Sequence, residues 1–140
     1  MIYLDTSVLA SLYWAEALSD MAEELVLTET ELGISQLVEV EFVSALSRRV
    51  RMREISQDDA GGIVERFQID LVSGFYTRIA VESVHYDLAR DWISRFETPL
   101  RTLDALHLAV ASQNNIRLVT ADQGLAASAQ ALGVEILLLE

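Results

Sequence analysis

The chain has 140 residues, 51% of them hydrophobic, with one proline and no cysteine; this suits one domain around a single core and excludes a disordered tail, a disulfide framework, a thiol nucleophile and a zinc ribbon. Acids number 22 against 10 bases, all arginine, so a net charge of -12 opposes a plain electrostatic nucleic-acid binder, and the missing lysine removes P-loop and Schiff-base chemistry. The opening Met1-Ile2-Tyr3-Leu4-Asp5 does not read as a secretory signal and no apolar run approaches a bilayer span, so a soluble, cytoplasmic protein with no membrane partner is expected.

Ile2-Tyr3-Leu4 reads as a buried parallel strand that stops at Asp5-Thr6-Ser7, which is good N-cap chemistry for a following helix. Val8 to Leu27 is helical in composition, broken into two pieces near Ala17–Ser19. Gly33-Ile34-Ser35 is a brief strand-like step, and Gln36 to about Arg53 is a long helix without Gly or Pro. Ser56-Gln57-Asp58-Asp59 opens another helix, running to about Val72 and obliged to tolerate Gly61-Gly62. Phe75 to Val81 is aromatic and β-branched enough for a strand. Ser83 to about Phe96 reads as a helix stopped by Thr98-Pro99. Thr102 is expected to cap a helix over Leu103 to Gln113. Arg117 to Thr120 is a strand, Asp122 to about Leu132 a helix and Val134 to Leu139 a last strand. Strands alternating with helices predict an α/β domain with a mostly parallel sheet and helices on both faces. No internal repeat or linker divides residues 1–140, so one domain is expected.

In such sheets ligands bind beyond the carboxyl ends of the strands, where the strand order reverses. Three acids fall at such places: Asp5 after the first strand, Asp122 after the strand ending at Thr120, and Asp104 in the first turn of its helix. Each also has a local explanation as a helix cap or a complement to a helix dipole. Three aspartates gathered at one sheet edge would repel one another unless a cation neutralised them. Hard oxygen donors with no histidine or cysteine expected nearby favour Mg²⁺ or Mn²⁺ over zinc. Thr6, Ser7 and Thr120 lie beside these acids and can orient a carboxylate, or simply cap.

Tyr3-Leu4-Asp5-Thr6-Ser7-Val8-Leu9 resembles the first motif of PIN-domain ribonucleases, particularly the VapC toxins of toxin–antitoxin pairs. Glu41-Phe42-Val43-Ser44-Ala45-Leu46, Leu103-Asp104-Ala105-Leu106-His107-Leu108-Ala109 and Leu118-Val119-Thr120-Ala121-Asp122 resemble the second, third and fourth motifs, in the family's order. The resemblance implies a three-layer α/β/α domain with four or five mostly parallel strands. It also implies that Asp5, Glu41, Asp104 and Asp122 converge, bind Mg²⁺ or Mn²⁺, and so activate water against an RNA phosphodiester. An antitoxin partner and a homodimer follow from the same likeness. Two other readings stand beside it: a catalytically inactive PIN-like partner module, and a phosphatase-like or receiver-like domain using Asp5, which the missing lysine weakens. A dinucleotide-binding fold lacks its G-x-G-x-x-G.

Periodicity does not separate Glu41 from Glu39; only the motif's E-x-x-x-A-L spacing selects Glu41, leaving Glu39 as a structural or surface acid. His107 stands one turn beyond Asp104, so a half-buried histidine bonded to that aspartate is expected. The arginines between Arg48 and Arg53 suit a helix C-terminus and equally an RNA phosphate or an acidic partner. Tyr13 and Trp14, with Leu9 and Leu12, form an apolar stripe that is either core or partner-facing. After Asp122 come Gln123-Gly124-Leu125, which offer no fifth acid.

Overall fold

The computed structural model describes residues 1–140, whose elements follow one another as β1 (Ile2–Leu4), α1 (Thr6–Tyr13), α2 (Ser19–Thr28), β2 (Leu32–Ile34), α3 (Gln36–Arg51), α4 (Gln57–Val72), β3 (Thr77–Arg78), α5 (Ser83–Ser94), α6 (Thr102–Gln113), β4 (Arg117–Thr120), α7 (Gln123–Ala131) and β5 (Ile136–Leu138). The strands form one sheet in the order β3-β2-β1-β4-β5, and every pairing is parallel. β1 sits at the centre, with Ile2 paired to Leu32 on one side and to Arg117 on the other. A strand covered on both faces needs no alternation of polarity, and Ile2, Tyr3 and Leu4 are all buried. The chain builds outward from β1 to β3 and then returns to add β4 and β5 on the other side. The order therefore reverses between β1 and β4.

Right-handed crossovers place the helices that follow β1 and β2 on one face, and those that follow β3 and β4 on the other. The contacts agree: α1 packs on α2 and α3, α3 on α4, and α5 on α6. The α/β/α layering expected from the alternation of elements is the observed one. One continuous core of 27 buried residues fills the layers, and α6 runs through it with Ala105 to Ala111 all buried. That helix is apolar nearly all round, as a fully enclosed helix must be. No helix is long and apolar enough to cross a membrane.

Several element boundaries differ from expectation: β2 runs Leu32–Ile34 in place of Gly33–Ser35, and β5 is Ile136–Leu138 in place of Val134–Leu139. The strand expected over Phe75–Val81 is only Thr77–Arg78. β3 is an edge strand whose sole partner, β2, ends at Ile34 because Ser35 turns away to cap α3; one further bond, Ile79 N–H to the Ile34 carbonyl at 2.8 Å, closes the ladder. Thr102 does not cap α6: the flanking residue is Arg101, and no side chain accepts a capping bond there. Gly33 lets β2 pack closely: a Cβ there would lie 3.2 Å from the Ile2 carbonyl oxygen and 2.6 Å from Ile79 Cδ1, a side-chain end that would have to rotate away.

Candidate active site at the sheet switch point

The carboxyl ends of β1 and β4 lie side by side, with Leu4 paired to Val119, and the chain leaves them as Asp5 and as Thr120-Ala121-Asp122. Asp5 is buried at 5% exposure. Its Oδ1 accepts the Val8 N–H at 3.1 Å, which caps α1, and the Ser7 hydroxyl at 2.5 Å; its Oδ2 accepts the Thr120 hydroxyl. Both hydroxyls are themselves held by backbone. Ser7 Oγ accepts the Ala121 N–H at 3.0 Å, and Thr120 Oγ1 accepts the Asp122 N–H at 3.0 Å. The loop after β4 is thus tied to the Asp5 carboxylate through two hydroxyls. Burial raises the Asp5 carboxyl above its ordinary range, against the downward pull of Ser7, Thr120, the Val8 amide and His107.

Glu41 projects from the second turn of α3. Its Oε1 accepts the Thr6 hydroxyl at 3.1 Å and the Nε2 of His107, whereas no hydrogen bond reaches its Oε2. Asp122 is exposed and caps α7, accepting the Leu125 N–H at 3.0 Å. Asp104 stands half-buried in the first turn of α6. Its carboxyl is raised above the usual range, first by burial and then by the negative charge of Asp122, with Asp5 and Glu41 adding to it and His107 opposing. Asp104 therefore lies within the electrostatic reach of the other three acids. As they stand, no three of the His, Asp and Glu side chains are disposed to hold one ion together. The arrangement is a concentrated negative field, not a finished coordination sphere.

His107 departs from expectation. It is buried at 2% exposure and bonds to no part of Asp104. Its Nε2 meets Glu41, and its Nδ1 lies 2.7 Å from the Tyr3 hydroxyl, which in turn lies 2.7 Å from Ser35 Oγ. Helix position alone pairs His107 with Asp104, but the ring points instead across to β1 and α3. Burial, together with Glu41 and Asp5, drives the Tyr3 phenol well above the ordinary range, with the Ser35 bond opposing. Tyr3 and Ser35 were invisible as site residues in the sequence, where one reads as a core aromatic and the other as a strand end. The sole signal was Ser35 directly preceding the helix of Glu41.

The remaining candidates take ordinary places. Glu39 forms a two-pronged ion pair with Arg78, at 2.8 and 2.9 Å, away from the acid edge. Trp14 stacks on Phe42, with ring centres 5.4 Å apart, and carries the Arg49 guanidinium 5.0 Å above its ring. Tyr13 packs edge-on against Phe42 and Phe67 and donates to Asp70 at 2.5 Å. Arg48, Arg51 and Arg53 are exposed at the end of α3.

A PIN-domain family model matches residues 2–130 of the chain. The chain belongs to the PIN-domain family. Among solved structures similar to this PIN domain, VapC20 of Mycobacterium tuberculosis, described as a sarcin-ricin loop cleaving toxin, superposes with a TM-score of 0.72 at 23% identity, over 91% of this chain and 95% of its own. A toxin–antitoxin complex from Klebsiella pneumoniae gives 0.66 at 18% identity, over 90% and 91% of the respective chains. VapBC2 from Rickettsia felis, bound to a DNA fragment from their promoter, gives 0.65 at 18%, over 100% and 98%. At these identities the likeness is one of fold. No curated protein sequence matches significantly. The five-stranded parallel sheet is the PIN fold, and the motif resemblance and the family match coincide along the chain.

Proposed function

We propose that this PIN domain is a Mg²⁺- or Mn²⁺-dependent endoribonuclease, the toxin of a toxin–antitoxin pair. One observation carries the reading: Asp104, whose carboxyl is raised first by burial and then by the charge of Asp122, with Asp5 and Glu41 adding to it, shares the reversal point of the sheet with those three acids. Such crowding is costly for a lone protein and favourable for one that takes up a divalent cation. The donor set fits a hard ion, being carboxylate and hydroxyl oxygens with no sulfur. Asp5, Glu41, Asp104 and Asp122 are the residues that would hold it, and the ion when bound acidifies water and offsets charge on the phosphate.

The chain's own contribution is orientation. Ser7 and Thr120 hold Asp5 in one rotamer and anchor the loop of Asp122 to it. Thr6, the residue next to Asp5, donates to Glu41 and so couples the start of α1 to α3. The exposed arginines at the end of α3 lie about ten residues, or roughly 15 Å, along the helix from Glu41, a reach suited to flanking phosphates of a bound RNA. Exposed cations of this kind would supply the substrate contact that a net charge of -12 otherwise opposes.

The antitoxin assignment rests on the toxin–antitoxin assemblies among the structural neighbours, and a cytoplasmic homodimer belongs to the same reading. The deciding experiment is cleavage of RNA by the purified protein with Mg²⁺ or Mn²⁺ and with chelator. Cleavage by wild type that is lost with chelator and in Asp104→Asn supports the nuclease. Equal cleavage by Asp104→Asn overturns the assignment of the acid edge as the active site, and no cleavage by wild type under any divalent ion leaves the inactive partner module.

A further inference from the structure

We propose that Ser35, Tyr3 and His107 form a buried positioning chain that orients the Glu41 carboxylate before any cation arrives. The inference rests on the reading of the acid edge as a metal site and deepens it, by naming the residues that fix one ligand.

The direction of the chain follows from what each group can donate. A carboxylate only accepts, so the His107 nitrogen facing Glu41 Oε1 carries the proton. In the neutral ring Nδ1 is then an acceptor, and the Tyr3 hydroxyl, 2.7 Å away, donates to it. The Tyr3 oxygen accepts in turn from the Ser35 hydroxyl at 2.7 Å, and Ser35 Oγ still accepts the Val38 N–H at 3.3 Å as the cap of α3. Each hydroxyl and ring N–H of the chain donates in one order, ending at Glu41 Oε1. The path begins at the cap of α3 and returns to the second turn of that same helix by way of β1 and α6. Those three elements carry Glu41, Asp5 and Asp104, so a shift of any one breaks a buried hydrogen bond.

A core histidine that only filled space would need neither ring nitrogen. Here both are committed, to partners 104 and 66 residues away, at 2% exposure. Glu41, at 24% side-chain exposure, would otherwise sample several rotamers, and the entropy lost in ordering it would oppose cation binding. With Oε1 held by His107 and Thr6, Oε2 is the oxygen left without a hydrogen bond. Partners of this kind, which do not touch the ion, commonly set its affinity by roughly 10–100-fold.

The test is Mn²⁺ affinity without RNA, from paramagnetic-resonance titration of free Mn²⁺, on variants shown to be folded by circular dichroism. His107→Asn keeps an amide at the depth of Nδ1 but removes the donor to Glu41; it should weaken Mn²⁺ binding about ten-fold or more. His107→Gln returns an amide N–H to the depth of Nε2 and should recover most of that loss. Tyr3→Phe, which removes a single oxygen, should weaken binding in the same direction and decides the matter if His107→Asn does not fold. In a Glu41→Gln background His107→Asn should change Mn²⁺ affinity no further. Unchanged or tighter Mn²⁺ binding by folded His107→Asn and Tyr3→Phe overturns the positioning role, as does an equal loss in the Glu41→Gln background. If wild type binds Mn²⁺ and Asp104→Asn does not, while the His107 variants match wild type, only the positioning role fails. If wild type binds no Mn²⁺, the metal reading fails and this inference with it.

Discussion

Thr120 and Asp5, 115 residues apart, are joined by a buried hydrogen bond in which the threonine hydroxyl donates to the aspartate while accepting the backbone N–H of Asp122. One hydroxyl thus fixes both the innermost acid of the site and the turn that presents the outermost. Thr120→Val keeps the shape and removes both roles, leaving the Asp122 amide without its acceptor and Asp5 without one of its three donors. A loss of about 1–3 kcal/mol is expected in chemical denaturation. Thr120→Ser should restore most of it. A valine variant as stable as wild type would show that the hydroxyl contributes only packing.

Asp104 is destabilising to the metal-free protein at neutral pH, and the sign follows from its raised carboxyl. A carboxyl whose folded value lies above its unfolded one contributes its full share of stability below the unfolded value and loses it as pH rises through the folded one. The helix N-terminus offsets this by about 0.3–1 kcal/mol, yet the shift remains upward. Asp104→Asn is therefore expected to raise the melting temperature without metal at neutral pH, with the gain shrinking in acid. Calorimetry at the two pH values checks it. A destabilised Asp104→Asn would mean that the charge serves α6 as a dipole partner.

Divalent ions should act in the opposite sense to that repulsion. If they bind the folded acid edge and not the unfolded chain, Mn²⁺ at ten times its dissociation constant adds about 1.4 kcal/mol. The melting temperature should climb with Mn²⁺ or Mg²⁺ and fall back on chelation, while Asp5→Asn and Asp104→Asn should show little of that response. A wild-type melting temperature indifferent to both ions at millimolar concentration would count against a cation site at the acid edge.

The strands and helices were legible because their chemistry is local. An unbroken apolar triplet at Ile2–Leu4 specifies a central strand, and Asp5, Ser35, Ser56 and Asp122 each cap the helix that follows them. The length of β3 was not legible, because it depends on where its neighbour β2 ends. The positions of Asp5, Asp104 and Asp122 at strand ends and a helix start were readable from spacing, whereas Glu41 needed the motif. His107 was misjudged because helical spacing names the neighbours on one helix and is silent about partners on others. The bonds from His107 to Tyr3 and Glu41 are tertiary, and no periodicity encodes them.

High pH should unfold the protein through its buried phenols. Burial pushes Tyr76 from its ordinary value of 10.0 up to about 12, with Asp70 adding to the rise and Tyr13 and Arg66 opposing; Tyr13, held against Asp70, and Tyr3 are raised further. A phenol favoured in its neutral form by the fold gives its full stability below the unfolded value and loses it as pH climbs through the folded one. The unfolded chain releases these protons first, so stability should begin to drop near pH 10, with Tyr76 alone worth about 2–3 kcal/mol by pH 12. Phenolate absorbance and far-ultraviolet circular dichroism followed in one titration check this, and the buried tyrosines should ionise together with the loss of helix. Tyr13→Phe removes a phenol that the fold keeps neutral, and should make the alkaline decline shallower even though Asp70 loses a donor. Ionisation of all the tyrosines at ordinary pH with the helices intact would show that the Tyr13–Tyr76–Asp70 cluster is open to solvent.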